Sequence, residues 1–345
     1  MLNPKRRSAA ANAGRGPPER MVTMNNTGNI RKVAVIGCGF VGATCAYTLM
    51  QHGLFSEMVL VDVDKARAEG EAMDISHGLP FASPMNIYAG DYADAADAGL
   101  VILTAGAGQK PGETRLDLVR KNTAIFASIV PALRRSGFGG ILLVVANPVD
   151  VLTRVAQQLS GLPEECVFGS GTVLDTARLK YLLGQHLSVD SRSVHAFIIG
   201  EHGDSEIPVW SSANVSGVPL HRVCEMRGFY EHDRAMREIG ESVKNSAYEI
   251  ISRKKATYYG IGMAVQRICE AIVRDEKSIL PVSAALHGEC GVSDVTLSMP
   301  AIVGAGGVER IVPIALDADE ADKLNASAEV LKKTLAGVQD MIAGV

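Results

Sequence analysis

Residues 31–43 read RKVAVIGCGFVGA, and this stretch predicts the fold of the N-terminal half of the chain. A charged lead-in before the apolar run 33–36 is typical of a strand buried in a parallel sheet. Gly37 allows a tight turn, Gly39 lets the backbone approach a pyrophosphate, and Gly42 lets the following helix pack closely on the strand. The N-terminus of that helix would face the phosphates with its free N–H groups.

A carboxylate at the end of the next strand makes this glycine pattern more specific. The apolar run 58–61 ends in Asp62, twenty residues after Gly42. At that spacing an acidic side chain accepts hydrogen bonds from the ribose of a bound dinucleotide. Because a carboxylate repels a 2′-phosphate, the sequence favours NAD over NADP. The alternative, a glycine-rich turn without a ligand, requires the position of Asp62 to be a coincidence.

Strands and helices alternate up to about residue 150. Strands are predicted at 86–90, 100–104 and 140–146, and helices at 65–77 and 116–135. Such alternation with short connections indicates a doubly wound parallel sheet that binds ligands at the carboxyl ends of its strands. Asn147-Pro148 ends the last of these strands and places the Asn147 amide at that edge.

The second half of the chain has a different pattern. Helical sequence is expected from Ser211 to about Arg274, then period-2 strands around 278–286, 295–303 and 308–313, then an amphipathic helix at 320–342. The predicted fold class is therefore α/β, a Rossmann-type doubly wound parallel sheet followed by an α+β substrate-binding domain. The expected divisions are a disordered basic tail (1–29), an NAD-binding Rossmann domain (30–168) and a catalytic domain (169–345).

Composition limits the classes of function. The 345 residues are 47% hydrophobic and carry a net charge of −4, which favours neither nucleic acid nor a membrane surface as a partner. No apolar run reaches the ~18 residues of a membrane-spanning helix. The six cysteines are scattered, with no C-x-x-C pair, which argues against a disulfide framework or a metal site. We expect a cytoplasmic globular protein.

The first twenty residues form a separate segment. They contain five basic residues, one acidic residue and three prolines, with few large apolar side chains. Such a segment cannot offset the entropy cost of ordering by burial, so a disordered tail is expected. An organelle transit peptide and a start codon assigned too early, with Met21 or Met24 as the first residue, are the alternatives.

A histidine follows a predicted strand end in the second half. The apolar run 194–199 is expected to form one buried strand that stops at Gly200, and His202 lies between two acidic residues just beyond. Strand ends can hold a side chain over a cleft, and histidine titrates nearest to physiological pH. A surface histidine in a polar turn is the alternative.

Three more side chains could serve hydride transfer together with His202. Oxidation of an alcohol needs a general base beside the hydroxyl, and Asp175, paired to the far ring nitrogen of His202, would fix its tautomer. Arg178 shares a helix face with Asp175 and can hold a carboxylate through two hydrogen bonds. Arg115 ends the glycine-rich segment 105–115, which could close over a site. A surface ion pair and an ordinary exposed loop are the alternatives.

The motifs at 37–43, 106–115, 147–148, 175–178 and 200–204 together resemble the L-lactate dehydrogenases of the lactate/malate dehydrogenase family, bacterial type. The resemblance covers about residues 30–342. It implies that His202 donates and accepts the proton, that Asp175 is its partner and that Arg115 is the lid arginine. It implies substrate-binding roles for Arg178, Gln109, Asn147 and Thr257. The cofactor-binding residues it implies for NAD are Gly37, Gly39, Phe40, Val41, Gly42, Asp62, Thr104, Ala105, Gly106, Asn147, Ser170 and Ile261.

Gln109 favours one substrate over another. The related malate dehydrogenases resemble one another in placing an arginine at this position, where it pairs with the second carboxylate of oxaloacetate. Burying that carboxylate beside a neutral glutamine would be costly. The expected activity is reversible reduction of pyruvate to (S)-lactate, in glycolysis and fermentation. The alternatives are a malate or other 2-hydroxy acid dehydrogenase, and a nucleotide-binding protein without catalysis.

The resemblance also carries a hypothesis about regulation. Bacterial members are often activated by fructose 1,6-bisphosphate, bound between subunits by an arginine and a histidine. Lys180 and His195 occupy these positions here. Lysine keeps the charge but loses the bidentate geometry of arginine. Allosteric activation therefore stands beside a simpler alternative, a pair of surface bases. The resemblance implies a homotetramer.

Overall fold

The structure, a computed structural model, describes residues 28–108 and 112–343 of the chain. Its N-terminal half forms six parallel strands, β1 (Asn29–Ile36), β2 (Glu57–Val61), β3 (Asn86–Ala89), β4 (Ala98–Leu103), β5 (Ile141–Val144) and β6 (Val167–Gly169). Their order in the sheet is β3-β2-β1-β4-β5-β6, which is the order of dinucleotide-binding doubly wound sheets. The predicted fold class is confirmed.

Four helices connect these strands, namely α1 (Phe40–His52), α2 (Lys65–Ser76), α3 (Arg115–Arg135) and α4 (Val149–Ser160). β4 and β5 are buried at every residue, as expected for strands covered on both faces. α1 ends at Gly53, whose φ of 61° is the left-handed conformation that stops a helix. α3 begins at Arg115, because Thr114 and Asp117 form a capping box there.

The second half extends the same sheet. β12 (Ser278–His287) lies antiparallel beside β6, followed by β13 (Ser293–Gly304), β8 (Ile198–Gly200) and β9 (Glu206–Pro208), with β14 (Gly307–Ile311) also on β13. In the part of the chain that the structure describes, eleven strands thus form one mixed sheet. The predicted domain boundary at 168/169 lies inside β6. This continuity fixes the end of β8, where His202 follows, relative to the parallel strands.

The apolar run 194–199 is not the single strand that was predicted. β7 (Val194–His195) belongs to a separate three-stranded sheet with β10 (Asn214–Val215) and β11 (Val218–Pro219), and only β8 enters the large sheet. The run passes between two hydrophobic clusters and is interrupted by the exposed His195. Val194 packs in the smaller cluster, whereas Ile199 packs in the main core.

The prediction of continuous helix after Ser211 is also wrong. The β10–β11 hairpin comes first, followed by α6 (Leu220–Met226), α7 (His232–Lys254) and α8 (Tyr259–Val273). Ser216 and Gly217 form its two-residue turn with φ values of 50° and 86°, a conformation typical of tight hairpins.

The remaining helices complete the second half. α5 (Val173–Leu187) carries Asp175 and Arg178. The predicted final helix is two helices, α9 (Ala318–Ala336) and α10 (Gln339–Ile342), because Gly337 ends the first. Among the described residues, no helix is long and apolar enough to cross a membrane.

Candidate active site

The glycine turn after β1 has the geometry that its sequence predicts. Gly37 has a φ of 100°, and a Cβ added there would lie 2.5 Å from the backbone nitrogen of Ala105. A Cβ at Gly42 would lie 1.8 Å from the carbonyl oxygen of Gly37. Gly39 differs, since a Cβ there would meet nothing within 4 Å. Two glycines are therefore required for packing, while the third exposes its backbone to open space that a ligand can enter.

Asp62 lies beside this turn. Its Oδ2 accepts a hydrogen bond from the Cys38 N–H at 2.6 Å, and its Oδ1 accepts one from the Asp64 N–H at 2.9 Å. The hydroxyl of Thr104 donates to the carbonyl of Gly37 at 2.6 Å, which ties the end of β4 to the same turn. The carboxyl ends of β1, β2 and β4 thus meet around one opening.

That opening is a cleft of about 650 Å³. Six predicted cofactor-binding residues line it, namely Gly37, Gly39, Asp62, Thr104, Ala105 and Gly106. Ile125 and Ile129 of α3 supply an apolar wall. A volume of this size with an apolar wall and a few polar groups is typical of a cofactor site.

The other predicted cofactor-binding residues lie elsewhere. Phe40 is exposed and stacks on Tyr258, with the ring centroids 5.4 Å apart. Val41 is half-buried beside it in α1, and Ile261 is half-buried in α8, which packs on α1. Ser170 is buried, and its N–H donates to the carbonyl of Val144 at 2.8 Å.

Asn147 follows β5 and is exposed. Its backbone carbonyl accepts a hydrogen bond from Asn122 Nδ2 at 2.7 Å. The carbonyl is therefore occupied, while its exposed side chain stands at the carboxyl edge of the sheet, as the sequence predicted.

The structure brings His202, Asp175 and Arg178 into contact. Asp175 is 2% exposed, and its Oδ2 lies 2.5 Å from His202 Nδ1. Its Oδ1 accepts a hydrogen bond from Arg178 Nη1 at 2.8 Å. One buried carboxylate therefore orients both a titratable ring and a cation.

These contacts set the charges at the site. Burial alone would lower the pKa of His202, but the negative charge and hydrogen bond of Asp175 raise it from 6.5 to about 9. Burial opposes ionisation of Asp175, and the adjacent His202 and Arg178 nevertheless hold its pKa below the ordinary value. His202 is therefore a cation and Asp175 an anion at neutral pH.

Asp150 is a site residue that the sequence reasoning missed. It is 1% exposed in α4; its Oδ2 accepts the His202 N–H at 2.8 Å and its Oδ1 accepts the Ser283 hydroxyl at 2.6 Å. Burial raises the pKa of Asp150. The available signal was a lone aspartate among apolar helix residues directly after Asn147-Pro148.

Glu201 is a second residue that was missed. It is 1% exposed, its carboxylate contacts the Arg115 guanidinium, and its N–H donates to Ser327 Oγ at 3.0 Å. Arg115 reaches this loop from the first turn of α3, and its side chain is 42% exposed. The predicted lid arginine thus lies next to the residue that precedes His202.

Glu206 is the third residue that was missed. It lies half-buried on β9, and one of its oxygens, one oxygen of Asp175 and one ring nitrogen of His202 lie within 4.8 Å of one another. Burial and the charge of Asp175 raise the pKa of Glu206 to about 8. Two carboxyl groups therefore flank the imidazole.

Residues 31–169 match the family model described as the lactate/malate dehydrogenase NAD binding domain, and residues 172–342 match its alpha/beta C-terminal domain. The chain belongs to the lactate/malate dehydrogenase family. Its NAD-binding part therefore contains the glycine turn, Asp62 and the cleft.

Curated relatives in this family are similar over most of their length. An L-lactate dehydrogenase of Acetivibrio thermocellus is 53% identical over 312 residues, which cover 90% of this chain and 98% of the relative. One of Priestia megaterium is 53% identical over 308 residues, covering 89% and 96%.

Solved structures of lactate dehydrogenases are also similar, at slightly lower identity. The ligands-bound minor L-lactate dehydrogenase of Enterococcus mundtii has a TM-score of 0.86 and 45% identity, covering 89% of this chain and 98% of that one. MGS-M5, a lactate dehydrogenase from a Medee basin deep-sea metagenome library, has a TM-score of 0.87 and 49% identity, covering 90% and 99%.

Four predicted site residues remain. One of them, Gln109, lies outside the described residues. Thr257 is half-buried between α7 and α8. Lys180 is half-buried on α5, where burial lowers its pKa, and His195 is exposed on β7, which packs on α5. The roles that the family resemblance implies for these four residues stay predictions.

Proposed function

We propose that this chain is an NAD-dependent L-lactate dehydrogenase, which reduces pyruvate to (S)-lactate reversibly. The observation that carries the proposal is the buried Asp175, which holds His202 on one oxygen and Arg178 on the other. A 2-oxo acid needs both partners, a proton donor for its carbonyl oxygen and a cation for its carboxylate. The names of the relatives favour pyruvate among the 2-oxo acids.

The proton step belongs to His202. With a pKa of about 9 it is protonated at neutral pH and can donate to the carbonyl oxygen. Asp175 occupies the Nδ1 side, which leaves Nε2 to face the substrate. After the transfer, the neutral ring keeps its Nδ1 proton toward Asp175. In the reverse direction, Nε2 accepts the hydroxyl proton of lactate.

The two arginines divide the binding of charge. Arg178 uses Nη1 for Asp175, and its remaining guanidinium N–H groups can bind the substrate carboxylate. Arg115 lies beside Glu201, next to the histidine. From there it can stabilise the negative charge that develops on the carbonyl oxygen.

The residues of the cleft fit NAD. Gly39 leaves its backbone open toward a pyrophosphate, the N-terminus of α1 faces the same opening, and Asp62 supplies the carboxylate for the ribose hydroxyls. When bound, NADH supplies the hydride for the carbonyl carbon. The chain holds the substrate so that this carbon and the proton of His202 are available together.

The proposal is tested with purified protein, NADH and a panel of 2-oxo acids, following NADH absorbance. We expect rapid oxidation with pyruvate and much slower oxidation with oxaloacetate, since Gln109 is neutral. Turnover with oxaloacetate but not pyruvate would make the chain a malate dehydrogenase. Turnover with no 2-oxo acid would support a nucleotide-binding protein without catalysis.

We also propose a cytoplasmic homotetramer that serves glycolysis and fermentation. All six cysteines are free in the described structure, in keeping with a reducing compartment.

Lys180 and His195 are the proposed ligands of fructose 1,6-bisphosphate. Adding the bisphosphate should lower KM for pyruvate and raise thermal stability, and Lys180→Ala should remove both effects. An unchanged KM and an unchanged stability in the unmutated protein would contradict allosteric activation. The number of subunits is measured separately, by light scattering.

A further inference from the structure

Glu206 reaches the catalytic pair from outside the predicted motifs. β9 runs antiparallel to β8 with Glu206 opposite Gly200, and the N–H of Glu206 donates to the carbonyl of Gly203 at 3.2 Å. The turn between these strands contains His202, so the side chains of His202 and Glu206 lie close together. Glu206, Asp175 and His202 bring three titratable atoms within 4.8 Å of one another.

We propose that Glu206 is a positioning residue for His202, a second carboxyl group that, once ionised at alkaline pH, holds the imidazole in the protonated form that donates to the substrate. The proposal rests on the proposed lactate dehydrogenase function. It assigns Glu206 no contact with the substrate, because its action passes through the ring.

The charges around Glu206 support this role. Burial raises the pKa of Glu206, and Asp175, a buried anion with both oxygens bonded, raises it further. Opposing this, His202, Arg178 and the half-buried Lys244 of α7 favour the ionised form. The outcome is a pKa of about 8 for Glu206.

Ionisation of Glu206 has a consequence for the reaction. The groups that raise the pKa of His202 are Asp175, Asp150 and Glu206. Because Glu206 and the ring nitrogen lie within 4.8 Å of each other, the charge of the ionised Glu206 opposes loss of the proton from His202. Glu206 therefore extends pyruvate reduction toward alkaline pH.

The experiment compares pH profiles of kcat/KM for the unmutated enzyme and Glu206→Gln, for pyruvate reduction and for lactate oxidation. We expect the alkaline limb of reduction to move to lower pH by about half a pH unit or more, roughly a 3-fold loss on that limb. The rising limb of lactate oxidation should move in the same direction, because oxidation needs the neutral ring. Glu206→Asp should restore part of the shift. A purely structural role would lower both profiles without moving them.

Two variants complete the test. Glu241→Gln makes the same chemical change at an exposed position of α7 and should leave both profiles unmoved. Lys244→Gln removes the cation that favours ionised Glu206, so it should move the limbs in the same direction as Glu206→Gln, but less. Unmoved limbs in Glu206→Gln would overturn the proposal.

A direct titration separates this proposal from the proposed function. NMR of enzyme with ¹³C-labelled histidine follows the His202 ring, assigned with His202→Gln. A lower His202 pKa in Glu206→Gln supports the proposal even if pyruvate is not turned over. An unchanged pKa overturns it, whatever the substrate.

Discussion

Replacing Asp175 by asparagine removes the charge that, in the proposed mechanism, keeps His202 protonated. Asp175→Asn keeps the size of the side chain and an oxygen that can accept from His202 Nδ1, but it removes the negative charge. Burial would lower the pKa of His202, and Asp175 is the main cause that instead raises it from 6.5 to about 9. A difference of that size corresponds to about 3 kcal/mol of stabilisation of the imidazolium.

The magnitude of the effect depends on pH. At about pH 8, a group with a pKa of about 9 is roughly nine-tenths protonated, whereas a group with a pKa of 6.5 is about 3% protonated. Loss of the charge should therefore reduce the rate of pyruvate reduction about 30-fold at that pH. At about pH 6 the unmutated ring is fully protonated and the ring in the variant is partly protonated, so the loss of charge alone should cost much less than at pH 8. Weaker orientation of the ring lowers the rate further at both pH values.

The assay is kcat/KM for pyruvate from about pH 5.5 to 9.5, with NADH binding measured separately by fluorescence. Asp190→Asn is a matched control, because Asp190 pairs with the exposed Arg192 on the surface. Binding of NADH should be unchanged in both variants. An Asp175→Asn profile that keeps its alkaline limb near pH 9 would refute the assignment of Asp175 as the group that holds the proton on His202.

Other predictions concern the substrate, the glycine turn and stability. Gln109→Arg should raise kcat/KM for oxaloacetate and lower it for pyruvate, which a two-substrate assay checks; an unchanged ratio would remove Gln109 from substrate choice. Gly42→Ala should lower the free energy of unfolding by about 2–3 kcal/mol, because its Cβ would lie 1.8 Å from a backbone oxygen. Gly39→Ala should leave stability nearly unchanged and weaken NADH binding; urea unfolding and NADH titration separate the two. Folding raises the pKa of Glu206 from 4.5 to about 8 and that of His202 from 6.5 to about 9, so the folded state binds more protons between these values. Their contribution to stability is present at the lower pH and is lost as the pH rises through about 8 and 9. The unfolding temperature should fall over this range, and less so in Glu206→Gln; a flat dependence would contradict the raised pKa values.

Local patterns were enough to predict the nucleotide-binding half. The first two buried strands, the turn around Gly37 and the carboxylate of Asp62 are all encoded in the short segment 33–62. The run 194–199 predicted one strand where the structure has two, because an apolar pattern does not tell which of two hydrophobic clusters a strand joins. The pair Ser216-Gly217 is a hairpin signal in the sequence that the prediction of continuous helix did not use.

The inner part of the site depends on contacts between distant segments. Asp150 bonds to the backbone 52 residues later, and the 133-residue separation from Ser283 is larger still. Glu201 contacts Arg115, which lies 86 residues earlier in the chain. Sequence spacing cannot predict such contacts, because they depend on how β12 and β13 join the parallel sheet. The family resemblance placed Asp175 beside His202, but it did not indicate the second carboxyl group at Glu206.

NADH oxidation by pyruvate, measured at neutral pH in the unmutated enzyme and in His202→Gln, tests whether His202 supplies the proton. The unmutated enzyme should oxidise NADH rapidly. In His202→Gln we expect a rate at least about 100-fold lower with NADH binding intact, since general acid catalysis contributes about that much or more. Comparable rates in the two proteins would contradict the claim that His202 supplies the proton.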